Sequence, residues 1–213
     1  MISQIIFIAL FGAAVFLFTR RILFIRRNIL MGNDVDRSDR SSERWMTMAR
    51  VALGQSKMVA RPVAGILHIF VYVGFVIINI EMLEIIIDGI LGTHRIFASA
   101  LGGIYTALIA VFEYLAFAVL ASCLIFLVRR HVLAIARFKS SEMKGWPSLD
   151  ATLILIAEVS LMFAFLSMNA ADMIAMGRGL DHYHVISSSA FPVSQFLVPV
   201  SYTHLTLPTK RIV

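Results

Sequence analysis

Four long apolar stretches constrain this chain more than any other feature of its sequence. They run over residues 2–19, 62–87, 104–128 and 151–174, and each is separated from the next by polar or glycine-broken sequence. A helix rises 1.5 Å per residue, so about twenty apolar residues cross the roughly 30 Å hydrocarbon core of a bilayer. The pattern therefore predicts an all-α, polytopic transmembrane helix bundle with four complete spans. Composition agrees: 59% of residues are hydrophobic and 15% charged, with a mean hydropathy of +0.85. A soluble domain is closer to half apolar and a quarter charged.

The basic residues give the expected orientation. Residues 20–61 hold ten Lys and Arg and residues 129–149 hold five, whereas the opposite side offers Arg95 and Arg178. By the positive-inside rule both basic loops face the cytoplasm and the N-terminus lies outside, which for a bacterial protein means the inner membrane. The net charge of +6 follows from these flanking clusters and not from a separate basic domain, so nucleic acid is not an expected partner. The lipid bilayer is.

Segment 1–19 reads as a span and not as a cleaved leader, because its start is uncharged and its basic cluster, Arg20, Arg21, Arg26 and Arg27, follows the apolar run. Segment 20–61 reads as a basic loop in which a helix restarts near Ser41. Trp45, Met46, Met48, Val51 and Leu53 alternate there with Arg44, Arg50 and Lys57. Such a stretch either lies along the headgroups or forms a solvated connecting helix. Gly102-Gly103 breaks the third apolar segment, and Trp146-Pro147 marks the interface before the fourth span. Within residues 175–200, the stretch 186–200 is about fifteen residues with two prolines, too short for a span, and the segment reads as an outer loop or a re-entrant piece. Residues 201–213 depart from the preceding pattern and resemble a translated adapter. On that reading the tail is non-native, the chain is the front of a longer protein, and a fifth span is missing; a genuine short tail is the alternative.

One cysteine, Cys123, excludes an internal disulfide, a CxxC zinc site and an iron-sulfur cluster held by this segment alone. Chemistry must rest on other groups. His68 stands about 10 Å along its helix from Arg61. A histidine within a span marks a functional site by default, as an axial ligand of haem iron or as a hydrogen-bonding group between helices. Gly65, one turn earlier, leaves room beside it for a flat macrocycle. His131 is too shallow to be a second ligand, and His94, His182 and His184 belong to the other side. The membrane carboxylates form a second set: Glu81 and Glu84 near the outer end of span two, Glu113 in span three and Glu158 in span four. Glu81 or Glu84 would suit a proton acceptor for quinol oxidation. Equally, these groups could bond to Asn79, Tyr114, Asn169 or backbone and join helices. A metal site that adds the outer histidines is weighed against a wet loop.

The stretch from Arg61 to Glu84, Arg-Pro-Val-Ala-Gly-Ile-Leu-His-Ile-Phe-Val-Tyr-Val-Gly-Phe-Val-Ile-Ile-Asn-Ile-Glu-Met-Leu-Glu, is followed by Arg129-Arg130 and Trp146-Pro147 and preceded by Gly54-Gln-Ser-Lys57. Together these resemble the membrane domain of bacterial heterodisulfide-reductase-like iron-sulfur oxidoreductases, which is similar to the nitrate reductase gamma subunit, a cytochrome b. The likeness covers roughly residues 1–200. It implies a quinone-linked electron-transfer module, the membrane part of an oxidoreductase, passing electrons through b-type haem towards a cytoplasmic iron-sulfur domain or subunit. On that pattern His68 matches the first axial ligand and binds the iron, Arg61 pairs with a propionate, and Glu81 or Glu84 accepts protons at the quinone. The family's later histidines and cluster-binding cysteines have no counterpart in this sequence, which places the iron-sulfur clusters downstream or in a partner. The rival class is a redox-silent membrane anchor or a transporter-like bundle.

Overall fold

A computed structural model describes residues 2–33, 39–55, 58, 62–133, 135, 145–180, 183 and 186–199. The described chain is all-α, with helices α1 (Ile2–Leu30), α2 (Ser41–Met48), α3 (Pro62–Leu91), α4 (Ile96–Leu101), α5 (Gly103–His131) and α6 (Trp146–Gly177). Of these, α1, α3, α5 and α6 are 29, 30, 29 and 32 residues long and apolar enough to cross a bilayer. The protein is a multi-pass membrane protein built as a helical bundle.

Each long helix outruns the apolar stretch that announced it. The largest difference is at α1, which continues through residues 20–30 instead of giving way to loop after Thr19. Nothing between Arg20 and Leu30 breaks a helix, since arginine and leucine are good helix formers and the first glycine after Gly12 is Gly32. Apolarity marks where the bilayer is; it does not mark where hydrogen bonding stops. True stops are local. Gly92, at φ +72°, closes α3 by turning its own N–H and that of Thr93 back to the Asp88 carbonyl, at 2.7 and 3.1 Å, a left-handed helix end that glycine adopts without strain. Gly102, at φ 52° and ψ −126°, separates α4 from α5 at the expected break.

The centre of the bundle is α5, packed between α3 and α6. Its buried residues Tyr105, Ile109, Phe112, Ala116, Val119 and Cys123 recur at helical spacing, and they meet Ile78 of α3 and Met162, Phe165 and Leu166 of α6. Gly74 lets α3 approach closely: a methyl group there would stand 2.3 Å from Val119 Cγ2. The large apolar side chains left outside, such as Phe75, Val76, Ile80 and Leu83 on α3, are exposed as lipid-facing residues must be. No residue of α1 is buried. It rests on α3 through Phe7, which lies over Gly89, and through a 2.6 Å hydrogen bond from Gln4 Nε2 to the Ile90 carbonyl. Every residue of α2 is exposed.

After α6, two short 3₁₀ turns, Ser188–Ala190 and Ser194–Phe196, pack back into one end of the bundle and bury Ala190, Phe191 and Ser194. That end, where α3 finishes and α5 begins, carries the buried acids and is called the acidic end below. The opposite end, with Arg20 to Arg27 and Arg129-Arg130, is the basic end. Arg61, His182, His184, residues 134 and 136–144 of the second basic loop and the 201–213 tail lie outside the described residues.

Candidate functional site

Helix periodicity brings Glu81, Glu84 and Asp88 onto one face of α3, three and four residues apart. Asn169 and Asp172 do the same on α6, and Glu113 comes from α5. Between them stands Arg95, in the short connection from α3 to α4 and 5% exposed. Its guanidinium is almost fully engaged. Nε donates to Asp172 Oδ2 at 2.9 Å, Nη2 to Asn169 Oδ1 at 2.8 Å and Nη1 to the Tyr105 hydroxyl at 3.2 Å. The Phe191 ring lies over it with 5.3 Å between Cζ and the ring centre, within cation–π range.

Arg95 reaches this position at a cost in backbone geometry. Its φ of 52° is left-handed, a conformation that non-glycine residues adopt uncommonly. Asp88 holds the turn: its Oδ2 accepts from the Arg95 N–H at 2.6 Å, and Oδ1 accepts from the Thr93 hydroxyl at 2.6 Å and the Ile96 N–H at 3.3 Å. Burial works against the Arg95 charge, but Asp172, Tyr105 and Glu81 outweigh it and hold the guanidinium above its ordinary value. It stays a cation.

The network extends in two directions. Glu84 Oε1 accepts from the Phe97 N–H at 2.9 Å and Oε2 from the Tyr105 hydroxyl at 2.6 Å. Glu113, 0% exposed, accepts from Asn169 Nδ2 at 3.0 Å, from the N–H groups of Val193 and Ser194 at 2.8 and 3.0 Å, and from the Ser194 hydroxyl. That carboxylate is what pins the returning segment into the bundle. His94 Nε2 lies 3.1 Å from Asp172 Oδ2 and its ring packs on Tyr183, 4.5 Å between centres.

Glu81 differs from its neighbours. It is 2% exposed, neither carboxylate oxygen accepts a hydrogen bond, and Oε1 is 3.6 Å from Arg95 Nη1. A buried acceptor without a donor costs about 1–3 kcal/mol, more when charged. Beside it is a cavity of about 250 Å³, lined by Glu81, Glu84, Asp88, Arg95 and Asp172 with Ile85, Met168, His94 and Tyr183. It is wide enough for a few waters or a small ring, and four of its nine lining residues are acids. Four carboxyl groups share one guanidinium and one imidazole here, so the site is suited to holding and exchanging protons.

His68 lies elsewhere, near the basic end of α3, half-buried and without a hydrogen bond or ion pair among the described residues. Glu81 and Glu84 are on the same helix, but about 20 Å further along at 1.5 Å per residue. His131 sits at the basic end against Thr152 Oγ1, at 3.2 Å, and His94 belongs to the acidic end. The described residues contain no group of three metal-ligating side chains. Among them His68 is one imidazole within a span that could ligate an iron, and no second described histidine lies near it.

Of the carboxylates picked out by sequence, Glu81, Glu84 and Glu113 are brought into one network, and Glu158 stays apart on α6 with no described hydrogen bond. Asn169 joins the network, whereas Asn79 turns back to the Phe75 carbonyl of its own helix and Tyr114 is exposed. Arg95, Tyr105, Asp88 and Asp172 had not been singled out. The spacing of Glu81, Glu84 and Asp88, and of Asn169 and Asp172, was the available signal, since polar groups repeating on one face of an apolar helix need a common partner. Comparison with family models, with curated proteins and with solved structures gave no match to this chain.

Proposed function

We propose that this protein is the membrane module of a quinone-linked electron-transfer system, placed in a bacterial inner membrane with the N-terminus and the acidic end outside and the basic loops in the cytoplasm. The observation that carries the reading is Glu81, a buried carboxylate without a hydrogen-bond donor, facing a cavity lined by further acids. A hydroxylated ring headgroup would supply the missing donor, and its oxidation releases two electrons and two protons. Glu81 would take a proton first, with the Glu84–Tyr105 and Asp172–His94 pairs next to it as onward acceptors. Electron transfer is the part that rests on the likeness of the Arg61–Glu84 stretch to the cytochrome b domain of iron-sulfur oxidoreductases. On that reading His68 would hold the iron of a b-type haem, which would carry the electrons, and Arg61 would pair with a propionate, with iron-sulfur clusters in a cytoplasmic domain or subunit.

A second reading, a redox-silent anchor or transporter-like bundle, draws on a specific observation too. Glu84 and Glu113 have every carboxylate oxygen hydrogen-bonded across elements, as interhelical glue requires. A reduced-minus-oxidised visible spectrum of the detergent-purified protein, produced with haem supplied, separates the two. The proposed function expects a b-type α band that His68→Ala abolishes. A folded protein with no band selects the second reading, and a band indifferent to that substitution removes His68 as the haem ligand.

A further inference from the structure

The basic end of α1 carries four arginines that the bundle does not use. Residues 2–19 span 18 positions, about 27 Å at 1.5 Å per residue, which accounts for the hydrocarbon core. Arg20 and Arg21 therefore stand where hydrocarbon meets headgroups. Because the helix continues unbroken to Leu30, Arg26 and Arg27 come about 9 Å further along the axis. The headgroup layer on one side of a bilayer is roughly 5–8 Å deep, so the two arginine pairs bracket it.

All four side chains are exposed, and none has an acidic partner among the described residues. Helix α1 contains no Asp or Glu that could pair with them. The contrast lies close by: Arg40 is paired with Asp39 and Glu43, Arg44 with Asp39, and Arg130 with Ser148. Ile22, Leu23, Phe24 and Ile25, between the two pairs, are exposed as well, which a helix standing in water would not favour but one among lipid headgroups and upper acyl chains tolerates.

We propose that residues 20–27 of α1 form a binding site for anionic phospholipid, in which the two arginine pairs hold headgroup phosphates from either side of the headgroup layer. Guanidinium suits this task because its planar fork can donate two hydrogen bonds to one phosphate. The site is independent of the redox reading, which uses none of these four arginines.

The test uses the full chain in bilayer discs containing equal phosphatidylglycerol and phosphatidylcholine, with retained lipid identified by native mass spectrometry after mild delipidation. Wild type is expected to retain phosphatidylglycerol selectively, and each pair neutralised, R20Q/R21Q or R26Q/R27Q, to lower that selectivity at least roughly fivefold. Raising salt from 50 to 500 mM on wild type should weaken it in the same direction, which tests the proposal even if a variant inserts poorly. A lysine replacement of all four keeps the charge and should retain selectivity in part. Equal retention of both lipids by wild type, or selectivity unchanged in both glutamine variants, overturns the proposal.

Discussion

The two ends of the bundle handle buried polarity in opposite ways. At the acidic end, charges are taken inside and answered by one another: Arg95 lies between Asp172, Asn169, Tyr105 and Glu81, and Glu113 is saturated by donors from α6 and the returning segment. At the basic end the charges stay outside, on helix ends and at the lipid boundary, and His68, inside a span, is half-buried with no hydrogen bond among the described residues. The difference teaches that charge inside a membrane helix is tolerated by enclosure on one side and by access to headgroups on the other. Enclosure makes a site rigid and mutually dependent. Access makes residues separable.

That contrast predicts unequal consequences of mutation. The largest belongs to Arg95→Met, which strands Asp172, Asn169 and Tyr105 without their donor and should cost about 3–5 kcal/mol, seen as loss of a cooperative thermal transition in detergent; Arg130→Met, at the other end, should cost no more than about 1 kcal/mol. Similar losses at the two ends would erase the comparison.

Next in size is Glu113→Gln. The amide can accept on one side only, so it turns a donor towards the Val193 and Ser194 N–H groups, at a cost of about 1–3 kcal/mol for the unsatisfied pair. Hydrogen exchange should show residues 190–197 losing protection while α1 and α3 keep theirs.

Gly74→Ala sharpens the comparison from the side of packing, since its new methyl would meet Val119 Cγ2 at 2.3 Å. Val119 is buried and stiff at χ1, so a small separation of α3 from α5 must relieve the clash, at about 1–3 kcal/mol of overpacking, and the loss should show as a lowered midpoint with the acidic network intact. The smallest effect is expected of Glu81→Gln. Glu81 accepts no hydrogen bond, so stability should move by less than about 1 kcal/mol in either direction, while quinol-dependent proton release, measured with a pH dye in vesicles, falls in proportion to its role. A large destabilisation by this substitution would mean that Glu81 is glue like Glu84 and not a working group.

Much of the architecture was legible beforehand because membrane helices are governed by local rules. Twenty apolar residues must be helical in hydrocarbon whatever surrounds them, so the four spans and the Gly102 break could be read directly. The ends could not be read from apolarity: α1 runs on to Leu30 because Arg20 to Leu30 propagates a helix as well as the apolar run does, and α6 begins at Trp146 because Pro147 suits a helix start. For the candidate site, Glu81, Glu84, Glu113 and Asn169 announced themselves as polar groups inside apolar helices, but nothing local said that they meet.

What the sequence determined by itself is therefore the solvent of each segment and its secondary structure, since both follow from the composition of contiguous residues. What tertiary structure alone decided is the partner of each buried charge. Arg95 looked like a loop residue on the outer side, and became the centre of the network only because its left-handed turn, held by Asp88, points a guanidinium inward between α3, α5 and α6. Residues 81, 95, 113 and 172 are distant along the chain, and the electrostatic attraction that joins them acts over a few ångströms of space, a distance that only the packing of the helices sets.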